Sequence, residues 1–397
     1  MCKPLPDALS LAYLPCPVDF AWSQPEHELY ESALAFARRL EADRAPIDDS
    51  APFSRDRWRR CGEFGLLGLS VSAELGGAGF GALTSAHILE AFGRGGKDGG
   101  LLFSAAAHLF ACTMPIAEFA EPPLKQVLVP PLARGDLIGA NAITEGEAGS
   151  DVAALKTTAT REGDDYVIDG SKSYVTNGPV ADVFLVYAST HANRGFFGLT
   201  AFALDRDTPG VVVGRPFRKI GLHSAPTCEV YFESCRVPAV RRLGEEGQGM
   251  AIFQASMSWE RACLFAIYLG AMERDLELAI AFARERRQFG RTIGQNQAIA
   301  HRIADMKLRF EAARLLLYRA CWLKDCGETS TLDISLAKLA VSEAAVQSGL
   351  DLIQIHGSVG ISADSGIASS LFDALPSRIF SGTSEIQRDL VSRSLGL

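Results

Sequence analysis

Between residues 250 and 272 the only side chains charged at neutral pH are those of Glu260 and Arg261. A helix otherwise suited to burial must therefore accommodate a carboxylate and a guanidinium, and either charge is costly to bury unless it is paired. One reading makes them a structural ion pair to a neighbouring helix. The other makes Glu260 a desolvated base whose raised pKa suits proton abstraction near neutral pH. Two further segments carry the ingredients of a ligand site. Thr144-Glu145-Gly146-Glu147-Ala148-Gly149-Ser150-Asp151 combines glycine freedom with hydroxyls and backbone N–H groups, as an ordinary polar turn or as a cradle for a phosphate or a polar ring edge. Tyr174-Val-Thr176 sets an aromatic ring and a hydroxyl at strand spacing, able to stack and to hydrogen-bond. Arg284, Arg286, Arg287 and Arg291 cluster at the end of the apolar helix, as a solvated face or as an anion contact. Thr383 or Ser384 caps the last helix, and capping alone would account for both.

The elements that must position these residues fall into three blocks. Residues 26–136 read as helical, with Leu29, Ala33, Phe36, Ala37 and Leu40 at three-to-four spacing. Residues 137–243 turn to short β-rich runs such as Val183-Phe-Leu-Val-Tyr and Val211-Val-Val, separated by Asp, Gly, Asn and Pro turns. Residues 244–397 return to long helical windows at 250–287, 296–326, 333–356 and 384–395, which predict an antiparallel four-helix bundle. Strands confined to a middle block exclude a doubly wound sheet. Gly76-Gly-Ala-Gly-Phe-Gly81 is accordingly a helix-to-helix turn, since no strand precedes it.

The chain has 397 residues, 48% hydrophobic and 22% charged, which are soluble-globular values that exclude a disordered chain. Lys and Arg number 39 against 47 Asp and Glu, and the net charge of −8 argues against general affinity for nucleic acid or an anionic membrane. Nine scattered cysteines without a C-x-x-C pair suggest neither a disulfide framework nor a metal site. Residues 1–25 hold five prolines and lack the basic and apolar regions of a signal peptide, so they read as the leader strap of a cytoplasmic protein. Glu260-Arg261 makes 250–272 a poor membrane span.

Read together, Ala142-Ile-Thr-Glu-Gly-Glu-Ala-Gly-Ser-Asp151, Tyr174-Val-Thr-Asn-Gly178, Arg287-Gln-Phe-Gly290, Gln354-Ile-His-Gly357 and Gly382-Thr-Ser-Glu-Ile-Gln387 resemble the acyl-CoA dehydrogenase flavoprotein family in order and approximate spacing, from about residue 26 to the end. The resemblance implies an N-terminal α domain, a small β-barrel-like domain, a four-helix bundle, and FAD. It implies that Ile143, Thr144, Tyr174 and Thr176 contact the flavin ring, that Gly149 and Ser150 lie beside flavin and substrate, and that Thr383 and Glu385 meet the cofactor. Arg286, Gln288, Phe289, Gln297, Gln354 and Gly357 would reach the cofactor of a neighbouring subunit, implying a homodimer or a dimer of dimers. Most members place a catalytic Glu just before the Gly-Thr of the last motif, where this chain has Ser381. A minority, including isovaleryl-type enzymes, supply the base from the long helix, at the position of Glu260.

Finer texture, including Ser104-Ala-Ala-Ala-His108, Ser256-Met-Ser-Trp-Glu260 and Pro376-Ser-Arg-Ile-Phe-Ser-Gly-Thr383, is similar to the prolyl dehydrogenases that act on carrier-protein thioesters. This implies oxidation of an L-prolyl thioester on a phosphopantetheine arm to the pyrrolinyl or pyrrole-2-carboxyl thioester, with a separate electron acceptor or O2. Glu260 would take the α-proton, and the Ser381 N–H would face the enolate oxygen. His108 and Arg261 are candidates for the pocket, His108 being as readily a satisfied core histidine. The alternatives are a dehydrogenase of short branched acyl-CoA or of another aminoacyl or hydroxyacyl carrier thioester. An acidic carrier would call for a basic rim, with Arg215, Arg218, Lys219, Arg241 and Arg242 as candidates.

Overall fold

A computed structural model describes residues 21–43, 53–191, 195–328 and 331–397. Most of the expected strap lies outside the described residues. Residues 24 and 25 already belong to the first helix, α1 (Gln24–Ala42), whose Glu26 carboxylate accepts from the Ser23 N–H at 2.8 Å. The helical block continues through α2 (Arg55–Phe64), α3 (Ala82–Gly95), α4 (Gly99–Ala107), α5 (Met114–Phe119) and α6 (Pro122–Arg134). A wider π-turn, His108–Thr113, joins α4 to α5. The stretch Gly99–Phe119 is long and apolar enough to cross a membrane, more so than the 250–272 stretch, yet it is packed as a core helix. The glycine-rich run does turn into α3, and its N-terminal amides are answered by protein: Asp325 accepts from Ala82 N (2.6 Å) and Leu83 N (2.9 Å).

The middle block is one mixed sheet of eight strands: β1 (Gly139–Ala142), β2 (Thr158–Glu162), β3 (Asp165–Thr176), β4 (Val183–Ser189), β5 (Leu199–Asp205), β6 (Val211–Val213), β7 (Thr227–Pro238) and β8 (Arg242–Leu243). The order is β6-β7-β3-β2-β4-β5-β8, with β1 parallel to β4. The barrel-like curvature expected of this block does not become a closed barrel, because β6 and β8 remain separate ends. Between Lys172 and Val175 the pairing of β3 with β7 slips. Tyr174 occupies this bulge at φ 55, so its ring is aimed off the sheet rather than into it.

The third block is α7 (Gly249–Trp259), a π-turn Glu260–Leu264, α8 (Ala266–Glu285), the hairpin β9 (Arg287–Gln288) and β10 (Arg291–Thr292), α9 (Gln297–Asp325), α10 (Thr331–His356), the short α11 (Ser369–Ala374) and α12 (Ser384–Ser394). The four long helical segments pack on one another, and α8 also packs on α3 of the first block. That crossing is close. A Cβ on Gly270 would stand 2.0 Å from Glu90 O, and one on Gly93 would stand 2.1 Å from Ile267 O. One hydrophobic core therefore runs from α1 through α3 into the bundle, while a second fills the sheet.

Gly270→Ala forces this crossing apart and should cost about 1–3 kcal/mol, as overpacking does. Circular dichroism melting should show a lower midpoint than for Gly146→Ala, where an added Cβ meets nothing within 4 Å. Equal midpoints would contradict the close crossing.

Candidate active site

A cavity of about 600 Å³ lies where the three blocks meet. Its walls come from the α4 region (Phe103, Ala107, Ala111), the 143–152 segment and the β3 bulge, α7 with its π-turn, the start of α10, and the turn before α12. From α7 onward, Met250, Gln254, Met257, Ser258 and Arg261 recur at helical spacing on the cavity face. The π-turn begins at Glu260 and brings that residue to the same wall.

The Glu260 carboxylate is buried, and the Ser381 hydroxyl donates to its Oε1. Among the described residues neither Glu260 nor Arg261 forms an ion pair, so the structural-pair reading fails. Burial pushes the Glu260 carboxyl above its ordinary value, against the hydrogen bond from Ser381 and the nearby cations Arg261 and Lys338. Ser381 sits at φ 55, a conformation that costs a non-glycine residue strain and persists only where neighbours enforce it. Those neighbours are Arg261, whose Nε donates to Ser381 O at 2.7 Å, and Gln387, whose Nε2 donates to Ser381 O at 3.2 Å and Gly382 O at 3.0 Å. Arg261 thus holds the turn as well as lining the cavity.

Across the cavity, Ile143, Thr144, Gly149, Ser150, Tyr174 and Thr176 all reach the wall. Their loop is anchored by a residue pair that the sequence did not single out. Glu145 accepts from Lys156 N (2.7 Å), Thr157 N (2.9 Å), Thr157 Oγ1 (2.5 Å) and the fully buried Lys172 Nζ (2.8 Å). Lys172 Nζ also donates to Ile143 O at 3.1 Å. Burial pushes Lys172 down to about 8, with Glu145 opposing. Burial likewise works to raise the Glu145 carboxyl, but Lys172 and the other donors bring it below its ordinary value. The available signal was its phase: Lys172 falls in the same alternation as the buried Tyr166 and Ile168 of the strand.

These walls fit a flavin ring. Tyr174 presents an exposed aromatic ring, the threonines and the 149–151 turn offer polar contacts, and the Asn141 Oδ1 on the wall is buried without a partner among the described residues. Thr383 and Glu385 lie outside the lining; Thr383 caps α12 by accepting from Ile386 N at 3.3 Å, and Glu385 is exposed in its first turn. His108 is also absent from the lining. Its Nδ1 accepts from Gly139 N at 2.8 Å and its Nε2 donates to Leu132 O at 3.0 Å, so it is a satisfied core histidine, pushed down to about 4 by burial. Arg286, Gln288, Phe289, Gln297, Gln354 and Gly357 are exposed and outside the cavity wall of their own chain, with Phe289 at 98% exposure. Of the basic-rim candidates, Arg241 pairs with Asp205, Arg242 with Glu245, and Lys219 is turned inward on Ala225 O; Arg215 and Arg218 are exposed.

Lys172→Met would leave Glu145 buried without its cation, a change worth about 3–5 kcal/mol. The 143–151 wall should loosen, and the FAD absorbance retained per chain after desalting should fall below that of the wild type. Full retention would contradict the anchoring role.

Models of acyl-CoA dehydrogenase N-terminal, middle and C-terminal domains match residues 23–136, 140–235 and 247–396. An L-prolyl-(peptidyl-carrier protein) dehydrogenase of Pseudomonas fluorescens is 52% identical over 351 residues, 88% of this chain and 92% of the relative. The crystal structure of the prolyl acyl carrier protein oxidase AnaB is 42% identical, covers 95% of this chain and 100% of its own, and has a TM-score of 0.93. PigA with FAD and proline is also 42% identical, covering 96% of this chain and 100% of its own at a TM-score of 0.93.

Proposed function

Because the chain belongs to the acyl-CoA dehydrogenase family of FAD-dependent oxidoreductases, we propose that it oxidises an L-prolyl group carried as a thioester on the phosphopantetheine arm of a carrier protein, giving the pyrrolinyl or pyrrole-2-carboxyl thioester. The observation that carries this reading is the buried Glu260 at the cavity wall, with serine rather than a second carboxylate at position 381.

The thioester carbonyl acidifies the neighbouring α C–H. Glu260, already stripped of water, takes that proton, and its raised pKa brings its basicity nearer to the task than an exposed carboxylate would be. Ser381 supplies two groups from one residue. Its hydroxyl fixes the carboxylate orientation, and its backbone N–H is the donor assigned to the developing enolate oxygen. Arg261 and Gln387 hold the Ser381 carbonyl, which fixes the peptide that follows the serine and supports its left-handed conformation. Tyr174, Thr144 and Thr176 would hold the flavin of FAD, which would supply the two-electron oxidation as acceptor for the β-hydrogen. Phe103, Phe380, Met257 and Phe253 close the cavity around the reacting ring and keep water from the base.

The exposed residues Arg286, Gln288, Phe289, Gln297, Gln354 and Gly357 are assigned to the cofactor of a neighbouring subunit, which makes the enzyme a homo-oligomer. The exposed apolar side chains Phe289, Leu308, Leu315 and Ile361 support that assignment. A cytoplasmic location suits a carrier-protein substrate.

Anaerobic mixing with prolyl-loaded carrier protein should bleach the flavin, with loss of two or four hydrogens from the tethered group by mass spectrometry. Bleaching with acyl-CoA or another loaded carrier, and none with the prolyl carrier, would overturn the substrate assignment. Glu260→Gln should keep FAD and lose roughly 10²–10⁴-fold in kcat. Glu260 must be ionised to act and its pKa is raised, so wild-type kcat/KM should fall with decreasing pH along a limb above the ordinary glutamate value of about 4.3. A limb at or below that value would contradict a desolvated base.

A further inference from the structure

One buried ammonium near the cavity takes no part in binding the cofactor or in the proton transfer as derived from Glu260 and Ser381. Lys338, on α10, is completely buried, and among the described residues its Nζ has no hydrogen-bond partner. Its Nζ lies 5.5 Å from the centroid of Phe265, the residue that follows the Glu260–Leu264 π-turn. Phe265 packs on Phe380, the wall residue immediately before Ser381, at 5.4 Å between centroids. Along α10, Ile334, Lys338 and Ser342 stand four residues apart on one face. Ile334 lines the cavity, and Ser342 Oγ donates at 3.0 Å to Ser377 O in the turn that leads to Ser381. The lysine therefore sits on the stretch of helix that backs both the π-turn and the serine.

The charged groups that act on Lys338 are Arg261 and Glu260 from the π-turn, Glu343 from its own helix and Glu385 from α12. Glu343 is already taken by Arg378 Nε (3.1 Å) and Ser384 Oγ (2.7 Å), and Glu385 is exposed beside Arg388. Glu260 has only the Ser381 hydroxyl, and the groups acting on it are Ser381, Arg261 and Lys338, with Tyr187 of β4 coupled to it from the sheet. A desolvated ammonium and a desolvated carboxylate in one dry region interact far more strongly than they would in water.

We propose that Lys338 is a positioning residue for proton abstraction: its ammonium, buried on the helix that backs the π-turn and the Ser381 turn with no partner of its own, is a second fixed cation that, with Arg261, favours the ionised Glu260 carboxylate in a cavity that excludes water. The inference rests on the assignment of Glu260 as base. Burial lowers Lys338 to about 7, so the cation is present in the acid range, where burial favours the protonated form of the Glu260 carboxyl.

The test compares kcat/KM against pH, with prolyl-loaded carrier protein, for FAD-loaded wild type, Lys338→Met, Lys338→Arg and Glu260→Gln. The amine of the tethered group titrates alike in all of them, so the difference between limbs is what is read. Lys338→Met should move the acid limb up by about one pH unit, a tenfold loss on the limb with recovery toward the wild-type rate at higher pH. Lys338→Arg, which keeps the cation, should hold the wild-type limb. A Lys338→Met limb superimposed on that of the wild type, or a loss uniform across pH, would overturn the proposal, since a purely structural role moves rates without moving the limb. Should Lys338→Met not bind FAD, Lys338→Arg decides: a retained limb supports the proposal, and one displaced by about a unit with normal FAD content overturns it. An active Glu260→Gln would instead sink the base assignment itself, whereas an inactive one with unmoved Lys338 limbs sinks only this inference.

Discussion

A carboxylate removed from water is the constraint around which this molecule is organised. Glu260 cannot be buried for nothing, because desolvation pushes it toward its neutral form. Ser381 answers it with one hydroxyl, and that hydroxyl is in place only because Ser381 is held in a left-handed conformation. The conformation is in turn enforced by Arg261 and Gln387 on the Ser381 carbonyl. The π-turn, the strained turn and the N-terminal part of α12 therefore act as one unit. Moving any of them moves the carboxylate.

The opposite wall uses the same physics in a cheaper form. Lys172 and Glu145 are a buried pair whose remaining donors and acceptors are satisfied by Thr157, Lys156 and the Ile143 carbonyl, so the loop on that side of the cavity is fixed without strain at the loop itself. Behind it, His108 and Asn177 tie α4 and its π-turn to β1: His108 accepts from Gly139 N, and Asn177 Nδ2 donates to Gly139 O at 3.3 Å and Ser104 O at 3.0 Å. The three blocks thus meet through buried polar groups at the cavity and through close helix contact at the Gly93–Gly270 crossing. Positioning comes from the former and cohesion from the latter.

Much of this is legible in the chain alone. Periodicity separates the helical, sheet and bundle blocks, since core-facing positions repeat at the period of each element. The oddity of two charges in 250–272 marks Glu260 from the sequence by itself, because burial makes an isolated charge conspicuous. What stays hidden depends on tertiary neighbours. Nothing local distinguishes Lys338 from a surface lysine, and Lys172 is marked only by its phase in the strand; their surroundings seal them. The π-turn at Glu260 and the bulge at Tyr174 are departures from regular geometry that a hydrophobic period averages away. His108 is ambiguous for the same reason, and the Gly139 and Leu132 backbone groups that occupy both its ring nitrogens lie 31 and 24 residues away in the chain. The six exposed residues between Arg286 and Gly357 line no part of the cavity of their own chain, so a single chain gives them no local role.

Proton removal is assigned to a carboxylate on the bundle helix and not to a group on the turn before α12. Single-turnover flavin reduction by anaerobic stopped flow tests this most directly, using FAD-loaded Glu260→Ala and prolyl-loaded carrier protein with and without added formate. Almost no reduction is expected without the additive, and a rate that rises with formate as the small carboxylate enters the space left by Glu260. Reduction at the wild-type rate in the absence of any added carboxylate would contradict the assignment.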